Sequence, residues 1–510
     1  MSENRIQRSV TALVAAGVVV AGGAACEPSG GERQVIAWHD CGTGAEDAIG
    51  ARLSAVGAQC GEFSAPLDYA DPGGRTITIA VARRAATDQT RRLGTLVVQT
   101  GGPGPSRDGV PMVIEGPEGG HPGAAELAER YDLVGMDPRF FGASSPLECG
   151  WKTSDYLSLA QTAPVDRAGF DRTVAVAGEL ARRCEPDRDL LPHASTRDVA
   201  RDLDLLRGLL NESELSFLGW SWGTYVGAVY LQMFGEHSGR FVLDSALDPR
   251  APGPDLTRAT APAASAALQD WARWAAGRPE LGWGAAPDAV LSTIDGMLER
   301  VAAAPVTLAG VAVTRELMPG LMLTVDDSDA TYTDFAAQLR ALSDASLGVP
   351  VDLPDSLAAK LALYAENTVL PELGFSATVA NQCADRPARD TDAYFTDIED
   401  HRAAEPIYGA LARRLTPCSL WPVRPTETAT EISNELPVLL VGAEGDPVAP
   451  EPGQRAMRRA LAGSRSVTLK KAVRHGVYLF ERNQCVDDAI SRYLLDGTLP
   501  VTDLNCTREG

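Results

Sequence analysis

A single serine, Ser221, lies between two tryptophans and two glycines in the stretch GWSWGTYVG. Residues 214–220 before it (ELSFLGW) form a short apolar run that is typical of a buried strand. Residues 224–234 after it (TYVGAVYLQMF) are predicted to form a helix, and residues 239–244 (GRFVLD) a further strand. The two glycines leave room for a sharp turn between strand and helix. The pattern therefore predicts that Ser221 is a nucleophile held on a strained turn.

The motif by itself does not establish that role. It requires two glycines and one serine, and glycine supplies 49 of the 510 residues, so about 0.3 matches are expected by chance. An ordinary serine between glycines is the alternative interpretation. The order of predicted elements favours the nucleophile, because residues 196–210 precede the strand with apolar side chains at helical spacing.

A second glycine-rich loop follows a second apolar run. Residues 94–100 (GTLVVQT) are typical of a buried strand, and Gly-Gly-Pro-Gly follows at residues 101–104. Backbone N–H groups of such a loop can approach a substrate closely, so we expect the N–H groups of Gly102 and Trp222 to stabilise an oxyanion. The alternative is a simple turn. A phosphate-binding loop is disfavoured because no Gly-Lys-Ser/Thr sequence follows.

Three histidines follow Ser221 in the chain and could serve as its base. His237 lies at the far end of the helix predicted after the serine, and His401 lies in a polar, solvated stretch. His475 follows a predicted strand and precedes a glycine. His475 is therefore the predicted base.

The predicted acid is Asp446. It lies in a loop directly after the apolar run at residues 436–441 and precedes His475 by 29 positions, so a carboxylate there can orient the imidazole. Asp244, at the end of the strand that follows the serine helix, is the rival position. Glu444 is interpreted as a loop charge.

The formal net charge of −22 argues against nucleic acid and anionic membrane surfaces as partners, because both require a basic patch. No Cys-x-x-Cys pair occurs, which argues against a zinc site. We expect no metal and no cofactor.

The N-terminus has the pattern of an export signal. Arg5 and Arg8 precede an apolar stretch at residues 10–20, and small residues follow. Residues 1–26 are therefore predicted to be a signal peptide, and no later run is apolar enough for a transmembrane helix. Cys26 lies where the signal ends, so lipid anchoring at Cys26 and plain secretion are both open.

Eight further cysteines form an even set, which is suited to four disulfides in an oxidising compartment. Buried free thiols are the alternative. If neighbours along the chain pair, the bonds are Cys41–Cys60, Cys149–Cys184, Cys383–Cys418 and Cys485–Cys506.

Several stretches together resemble one family of enzymes. They include CGEFSAPLDYADP, QTGGPGPS, DLVGMDPRFFGASSPLEC, LGWSWGTYVGAVY, NQCADR, LLVGAEGDPVAP, VRHGVYL and the terminal CVDDAISRYLLDGTLPVTDLNC. The chain resembles the secreted α/β-hydrolase serine peptidases of the tripeptidyl aminopeptidase and proline iminopeptidase family. The terminal stretch is similar to the C-terminal module of the tripeptidyl aminopeptidases. Arg139 to Gly142 depart from the family's usual arginine-glycine-x-glycine, and His475 lacks a preceding glycine.

The resemblance implies an α/β-hydrolase fold with a mostly parallel eight-stranded sheet and an inserted helical cap. Residues 27–250 and 383–510 are expected to form the hydrolase core, and residues 251–382 the cap. Trp271 and Trp274 lie on one face of a predicted cap helix, where they either pack against the core or line a substrate cleft.

The predicted activity is that of an exported serine hydrolase which cleaves peptides near a free N-terminus through an acyl-enzyme. An esterase with the same triad is the first alternative, and a non-catalytic binding protein the second. The resemblance implies that acidic residues near the cap bind the free amine of the substrate. The candidates are Asp385 and Glu366. For Asp385 the alternative is a local ion pair with Arg386 or Arg389.

Overall fold

The computed structural model describes residues 34–508, except 43, 45, 46 and 117–121. The predicted signal peptide at residues 1–26, and Cys26 with it, lies outside the described residues. In the described part of the chain, no helix combines the length and the apolar character that crossing a membrane requires.

One large sheet organises the described chain. The strands are β1 (His39–Asp40), β2 (Gln59–Pro66), β3 (Thr76–Arg84), β4 (Thr95–Gln99), β5 (Asp132–Met136), β6 (Leu215–Trp220), β7 (Ser238–Asp244), β8 (Val306–Leu308), β9 (Val311–Val313), β10 (Val438–Ala443), β11 (Arg465–Lys470) and β12 (Leu504–Thr507).

The sheet has the order β1-β2-β3-β5-β4-β6-β7-β10-β11-β12, while β8 and β9 form a separate hairpin. All pairs from β5 to β12 are parallel, and the pairs among β1, β2, β3 and β5 are antiparallel. The sheet is therefore mostly parallel, as predicted. It has ten strands rather than eight, because the two-residue β1 and the C-terminal β12 extend its two edges.

The helices are α1 (Ala48–Ala55), α2 (Gly109–Glu115), α3 (Pro122–Arg130), α4 (Thr153–Ala160), α5 (Arg167–Arg183), α6 (Thr196–Leu209), α7 (Trp222–Met233), α8 (Ala261–Ala276), α9 (Pro287–Ala303), α10 (Met318–Leu321), α11 (Asp329–Ser346), α12 (Asp355–Ala365), α13 (Phe375–Asp385), α14 (Thr391–His401), α15 (Gly409–Ala412), α16 (Glu451–Ala460) and α17 (Gln484–Asp496).

Helices cover both faces of the sheet, so its central strands are apolar on both sides. Along β6, Phe217 belongs to one hydrophobic core while Leu218 belongs to the core on the opposite face. On β7, Phe241 and Val242 divide in the same way, and the rings of Phe217 and Phe241 stack with centroids 5.2 Å apart. This double burial explains why the predicted strands are continuous apolar runs.

A long insertion separates two neighbouring strands. β7 and β10 pair in parallel although residues 245–437 lie between them in the chain. Most of the helices of this insertion share a third hydrophobic core, which contains Trp271 against Phe335. Trp271 is fully buried, so it packs inside the insertion rather than lining a cleft.

The third core also takes in residues beyond the predicted cap boundary at residue 382. Tyr408 and Leu411 belong to it, whereas Ala380 and Cys383 of α13 belong to a core of the main sheet. The chain thus passes from the insertion to the sheet and back before it reaches β10.

The four disulfides predicted from neighbouring cysteines are confirmed. The structure has Cys41–Cys60, Cys149–Cys184, Cys383–Cys418 and Cys485–Cys506. Each bond closes a short loop, of 19 to 35 positions in sequence separation.

A buried ion pair lies where the chain departs from the family pattern. The guanidinium of Arg139 donates to both carboxylate oxygens of Asp202 at 2.7 Å, and both side chains are fully buried. Arg139 also donates to the carbonyl oxygens of Leu67 and His193, and the hydroxyl of Tyr69 donates to Asp202 at 2.7 Å. The pair therefore joins α6 to the segments that follow β2 and β5.

Asp202→Asn should lower the free energy of unfolding by about 3–5 kcal/mol, because it leaves the Arg139 charge buried without a counter-charge. The control is Asp189→Asn, which breaks the exposed pair with Arg75 and should cost no more than about 1 kcal/mol. Chemical denaturation of both variants measures the difference, and equal small losses would contradict a structural role for the buried pair.

Candidate active site

Ser221 occupies the turn between β6 and α7 in a strained backbone conformation. Its φ is 54° and its ψ is −121°, which a residue with a side chain rarely adopts. Glycine is required on both sides of Ser221 because neighbouring backbone atoms leave no space for a Cβ atom. A Cβ on Gly219 would lie 2.8 Å from the carbonyl oxygen of Gly223, and a Cβ on Gly223 would lie 2.6 Å from that of Gln99. Ser221 is therefore presented at the carboxyl end of β6.

The Gly-Gly-Pro-Gly loop passes directly against this turn. A Cβ on Gly101 would lie 2.7 Å from the carbonyl oxygen of Trp220 and 3.0 Å from Cβ of Ser221. Gly101 and Gly102 have φ values of 106° and 107°, which glycine adopts without strain. Trp222 is the first residue of α7, so its N–H has no acceptor within the helix. The structure thus brings the predicted oxyanion loop beside the helix N-terminus.

Asp137, which the sequence analysis missed, fixes the far side of this loop. Its buried carboxylate accepts hydrogen bonds from the backbone N–H groups of Ser106, Arg107 and Ala143 at 2.9–3.0 Å, and from Nε of Arg107 at 2.7 Å. Asp137 directly follows β5, at the same edge of the sheet as Ser221. The available signal was an aspartate directly after the apolar residues 133–136.

The structure brings His475 and Asp446 together. Nδ1 of His475 lies 3.0 Å from Oδ2 and 3.1 Å from Oδ1 of Asp446. Asp446 is fully buried, and its Oδ1 accepts hydrogen bonds from the N–H groups of Val448 and Ala449. Nδ1 is therefore the protonated nitrogen of a neutral ring, and Nε2 remains available as a base.

Two opposed effects set the pKa of His475. Burial is the largest single effect and lowers it, but the charge and the hydrogen bond of Asp446, together with the charge of Asp244, outweigh burial, so that the pKa of His475 is raised. Asp244 adds a smaller effect in the same direction. The site therefore stabilises an imidazolium next to Asp446.

Asp244, the rival acid, binds the backbone of the histidine loop instead of the ring. Its carboxylate accepts hydrogen bonds from the N–H groups of Val477 at 3.0 Å and Tyr478 at 2.7 Å. Its carbonyl oxygen accepts a hydrogen bond from the N–H of Ser221 at 3.0 Å. Burial raises the pKa of Asp244 to about 6, although the backbone donors act against this shift. Asp244 thus connects the serine turn to the loop of His475.

A second histidine–aspartate pair lies elsewhere. Nδ1 of His237 lies 2.6 Å from Oδ1 of Asp204. His237 follows the end of α7 opposite Ser221, and the 12 residues of that helix span about 18 Å. Distance alone therefore separates His237 from the serine. His401 binds the carbonyl oxygen of Asp397 within its own helix.

Asp385 lies beside Trp222 and Pro103 in the wall of a small pocket. Its two carboxylate oxygens accept hydrogen bonds from the N–H and the hydroxyl of Thr196, both at 2.7 Å. Burial raises the pKa of Asp385 to about 7. The local alternative is wrong, because the carboxylate pairs with neither Arg386 nor Arg389 in the structure.

Glu366 lies at the C-terminal end of α12. Its carboxylate accepts hydrogen bonds from the N–H and the hydroxyl of Thr368, which lower its pKa, and its carbonyl accepts one from Ser154. Among the described residues, none of these contacts reaches the serine turn. The structure therefore places Asp385, but not Glu366, beside the predicted oxyanion donors.

Asp244→Asn should lower the free energy of unfolding by about 1–3 kcal/mol, because the N–H groups of Val477 and Tyr478, which both donate to Oδ2 of Asp244, lose a charged acceptor. The control is Glu444→Gln, a half-buried acid of the neighbouring loop that pairs with Lys470, which should cost no more than about 1 kcal/mol. Chemical denaturation measures both. An unchanged stability combined with a loss of activity would instead identify Asp244 as the acid that acts on His475.

Two family models match the chain. One, described as "alpha/beta hydrolase fold", matches residues 94–287, and the other, described as "TAP-like protein", matches residues 405–506. Together they span the serine turn, the glycine-rich loop and the loops of Asp446 and His475.

Curated relatives match over nearly the whole chain. The chain is 32% identical over 504 residues to the tripeptidyl aminopeptidase of Streptomyces lividans, covering 95% of this chain and 89% of the relative. It is 28% identical over 475 residues to the serine protease Hip1 of Mycobacterium tuberculosis, covering 88% and 87%. It is 29% identical over 471 residues to carboxylesterase B of Mycobacterium tuberculosis, covering 88% and 86%. The fold, the site and this extended similarity establish that the chain belongs to the tripeptidyl aminopeptidase family of α/β-hydrolase enzymes.

Proposed function

We propose that this protein is an exported serine aminopeptidase that cleaves peptides near a free N-terminus through an acyl-enzyme. The observation that carries the proposal is the arrangement at one edge of the sheet. Ser221 stands on a strained turn, and Nδ1 of His475 is held 3.0 Å from the buried carboxylate of Asp446. Family membership supports the same chemistry, since a serine hydrolase needs a nucleophile, a base and an orienting acid.

In the first step, Oγ of Ser221 attacks the carbonyl carbon of the scissile bond while Nε2 of His475 takes the hydroxyl proton. His475 then donates that proton to the departing amine, and the acyl group stays on Ser221. In the second step, His475 takes a proton from water, the hydroxide oxygen attacks the ester, and Ser221 recovers its proton. Asp446 stabilises the imidazolium formed in each step.

The N–H groups of Trp222 and Gly102 are proposed to hold the oxyanion. Two features support this assignment: the N–H at the start of α7 lacks an intrahelical acceptor, and the glycine loop lies in contact with the serine turn. The helix N-terminus adds a favourable partial positive charge at the developing negative oxygen.

We propose that the carboxylate of Asp385 binds the N-terminal ammonium group of the substrate. Among the two acidic candidates, Asp385 is buried in the wall next to Trp222, where an ion pair is less screened than at the surface. Thr196 holds its carboxylate in one orientation. Because burial raises its pKa to about 7, a nearby ammonium group would favour its ionised form. Glu366 is the second candidate.

Esterase activity is the second candidate function. Carboxylesterase B of Mycobacterium tuberculosis is similar over 88% of this chain, and an acyl-enzyme mechanism does not by itself select the leaving group. Comparison of free-amine peptides, N-blocked peptides and simple esters as substrates decides between the two functions. A clear preference for free-amine peptides supports the aminopeptidase, and hydrolysis of esters alone supports the esterase.

Export is proposed from two features. Residues 1–26 have the pattern of a signal peptide, and four disulfides link the described cysteines. Cys26 remains a candidate site of lipid attachment.

Ser221→Ala should abolish labelling by a fluorophosphonate probe and most turnover, while residual catalysis from the oxyanion donors persists. Asp446→Asn should lower kcat by a factor of about 10⁴, because the amide no longer fixes the productive tautomer of His475. Ser221→Ala should melt close to the wild-type temperature. Wild-type labelling and turnover in Ser221→Ala would refute the nucleophile.

Asp385→Asn should weaken cleavage of free-amine peptides by about 2–5 kcal/mol in transition-state free energy and affect a small neutral ester far less. In the wild type, KM for free-amine peptides should rise as the pH falls through about 7, since protonation removes the Asp385 charge. Glu366→Gln is the matched comparison. Equal losses on peptide and ester would mean that Asp385 has a structural role.

A further inference from the structure

A cavity lies between the inserted helices and the sheet, next to the loops of Asp446 and His475. Pro447 and Val448, which directly follow Asp446, form one side of it. Val325, whose carbonyl oxygen accepts the N–H of His475 at 2.9 Å, forms another. The cavity is therefore built in part from the segments that hold Asp446 and His475.

The side chains that line the cavity are largely apolar, and two of these side chains are unusually exposed. Val325 and Val448 expose 46% and 37% of their surface. Leu323 and Leu411 add to the apolar lining. Exposed apolar side chains that gather around a concave surface are typical of a ligand-binding site.

The lining threonines already use their hydroxyl groups. Thr257 donates to the carbonyl oxygen of Ala412, Thr260 to that of Thr257, and Thr324 to that of Asp326. None of these hydroxyl protons is therefore left for a bound molecule.

Arg414 differs from these threonines because it keeps unused hydrogen-bond donors. It is the charged residue among the described residues that line the cavity. Its Nη1 donates to the carbonyl oxygen of Leu411 and to the hydroxyl of Thr257, at 3.1 and 3.3 Å. Among the described residues, no acceptor lies on its Nε or Nη2, and no carboxylate lies within ion-pair distance. The adjacent Arg413, by contrast, pairs with Glu405 and Asp397.

An arginine in this position lacks the counter-charge that buried arginines usually have. Because no carboxylate of the described chain pairs with it, burial lowers the pKa of Arg414. A guanidinium with free donors on two nitrogens matches the two oxygens of a carboxylate, and the apolar walls strengthen that pairing.

We propose that this cavity is a substrate subsite in which Arg414 binds a carboxylate of the peptide. This proposal rests on the proposed peptidase function. The net charge of −22 opposes capture of free anions, whereas a carboxylate on a substrate already bound at Ser221 is delivered at high effective concentration. The carboxylate is either the C-terminus of a short peptide or an acidic side chain.

Two pairs of substrates distinguish these sources. The first pair compares short peptides with neutral side chains that end in a free acid or an amide, over a series of lengths. The second pair compares glutamate with glutamine at each position of C-terminally amidated peptides. In the wild type we expect kcat/KM to favour the carboxylate by about ten- to hundredfold in one of the two pairs.

Arg414→Gln should bring that ratio close to one, and Arg414→Lys, which keeps the charge but loses the planar fork, should give an intermediate ratio. The control is Arg315→Gln. Arg315 is a half-buried arginine of the same insertion that donates to the carbonyl oxygen of Pro406 and does not line the cavity. This control should keep the wild-type ratio, and thermal melting verifies that each variant is folded.

Three results would overturn the subsite. They are a wild type without carboxylate preference in either pair, a preference that survives Arg414→Gln, and equal losses on all substrates in that variant. A wild type that hydrolyses esters but no peptides would contradict the aminopeptidase proposal separately. The same ratio is then measured with esters that carry a carboxylate or a carboxamide, and it again decides the role of Arg414.

Discussion

The hydrogen bonds of Asp244 hold together the parts of the site that come from different strands. Asp244 ends β7, between Trp220 of β6 and Val441 of β10 in the sheet register. Its carbonyl oxygen binds the N–H of Ser221, and its carboxylate binds the loop that follows His475. Because parallel strands end at one edge, a single residue in the middle strand can join loops that are 254 positions apart (475 minus 221).

Two buried aspartates hold different parts of the His475 loop. Asp446 contacts the ring and leaves Nε2 free, while Asp244 contacts the backbone beyond it. Burial is the dominant effect for Asp244 and raises its pKa to about 6, so the N–H groups of Val477 and Tyr478 are needed to keep its charged form in the interior. This difference in environment gives different contacts to the two acids that the sequence offers as candidates.

The long insertion supports the histidine loop as well as covering the sheet. Val325 accepts the N–H of His475, and Asp327 accepts the N–H of Val473 at 2.9 Å. Asp327 also pairs with Arg508 near the C-terminus. The same segment of the insertion therefore lines the cavity of Arg414 and holds the loop of His475, so that the wall of the cavity and the position of His475 depend on shared contacts.

The sequence alone predicted the features that local constraints decide. Glycines around Ser221 and continuous apolar runs indicate the strand–turn–helix and the parallel sheet, because both depend on residues close in the chain. Chain order and strand ends predicted Asp446 and His475, which the structure brings into hydrogen-bond contact. The disulfides could be predicted as well, because each joins two cysteines that follow one another along the chain.

Only the tertiary structure decided which distant groups meet. It gave Asp244 its backbone partners, joined Asp385 to Thr196, and placed Arg414 in a cavity where no carboxylate of the described chain pairs with it. The two edge strands that make the sheet ten-stranded depend likewise on pairing at its margins. These contacts follow from strand order and from the path of the insertion, and no periodicity or spacing in the sequence encodes either. Local chemistry is therefore readable from the sequence, whereas the partners of buried charges depend on packing across the whole chain.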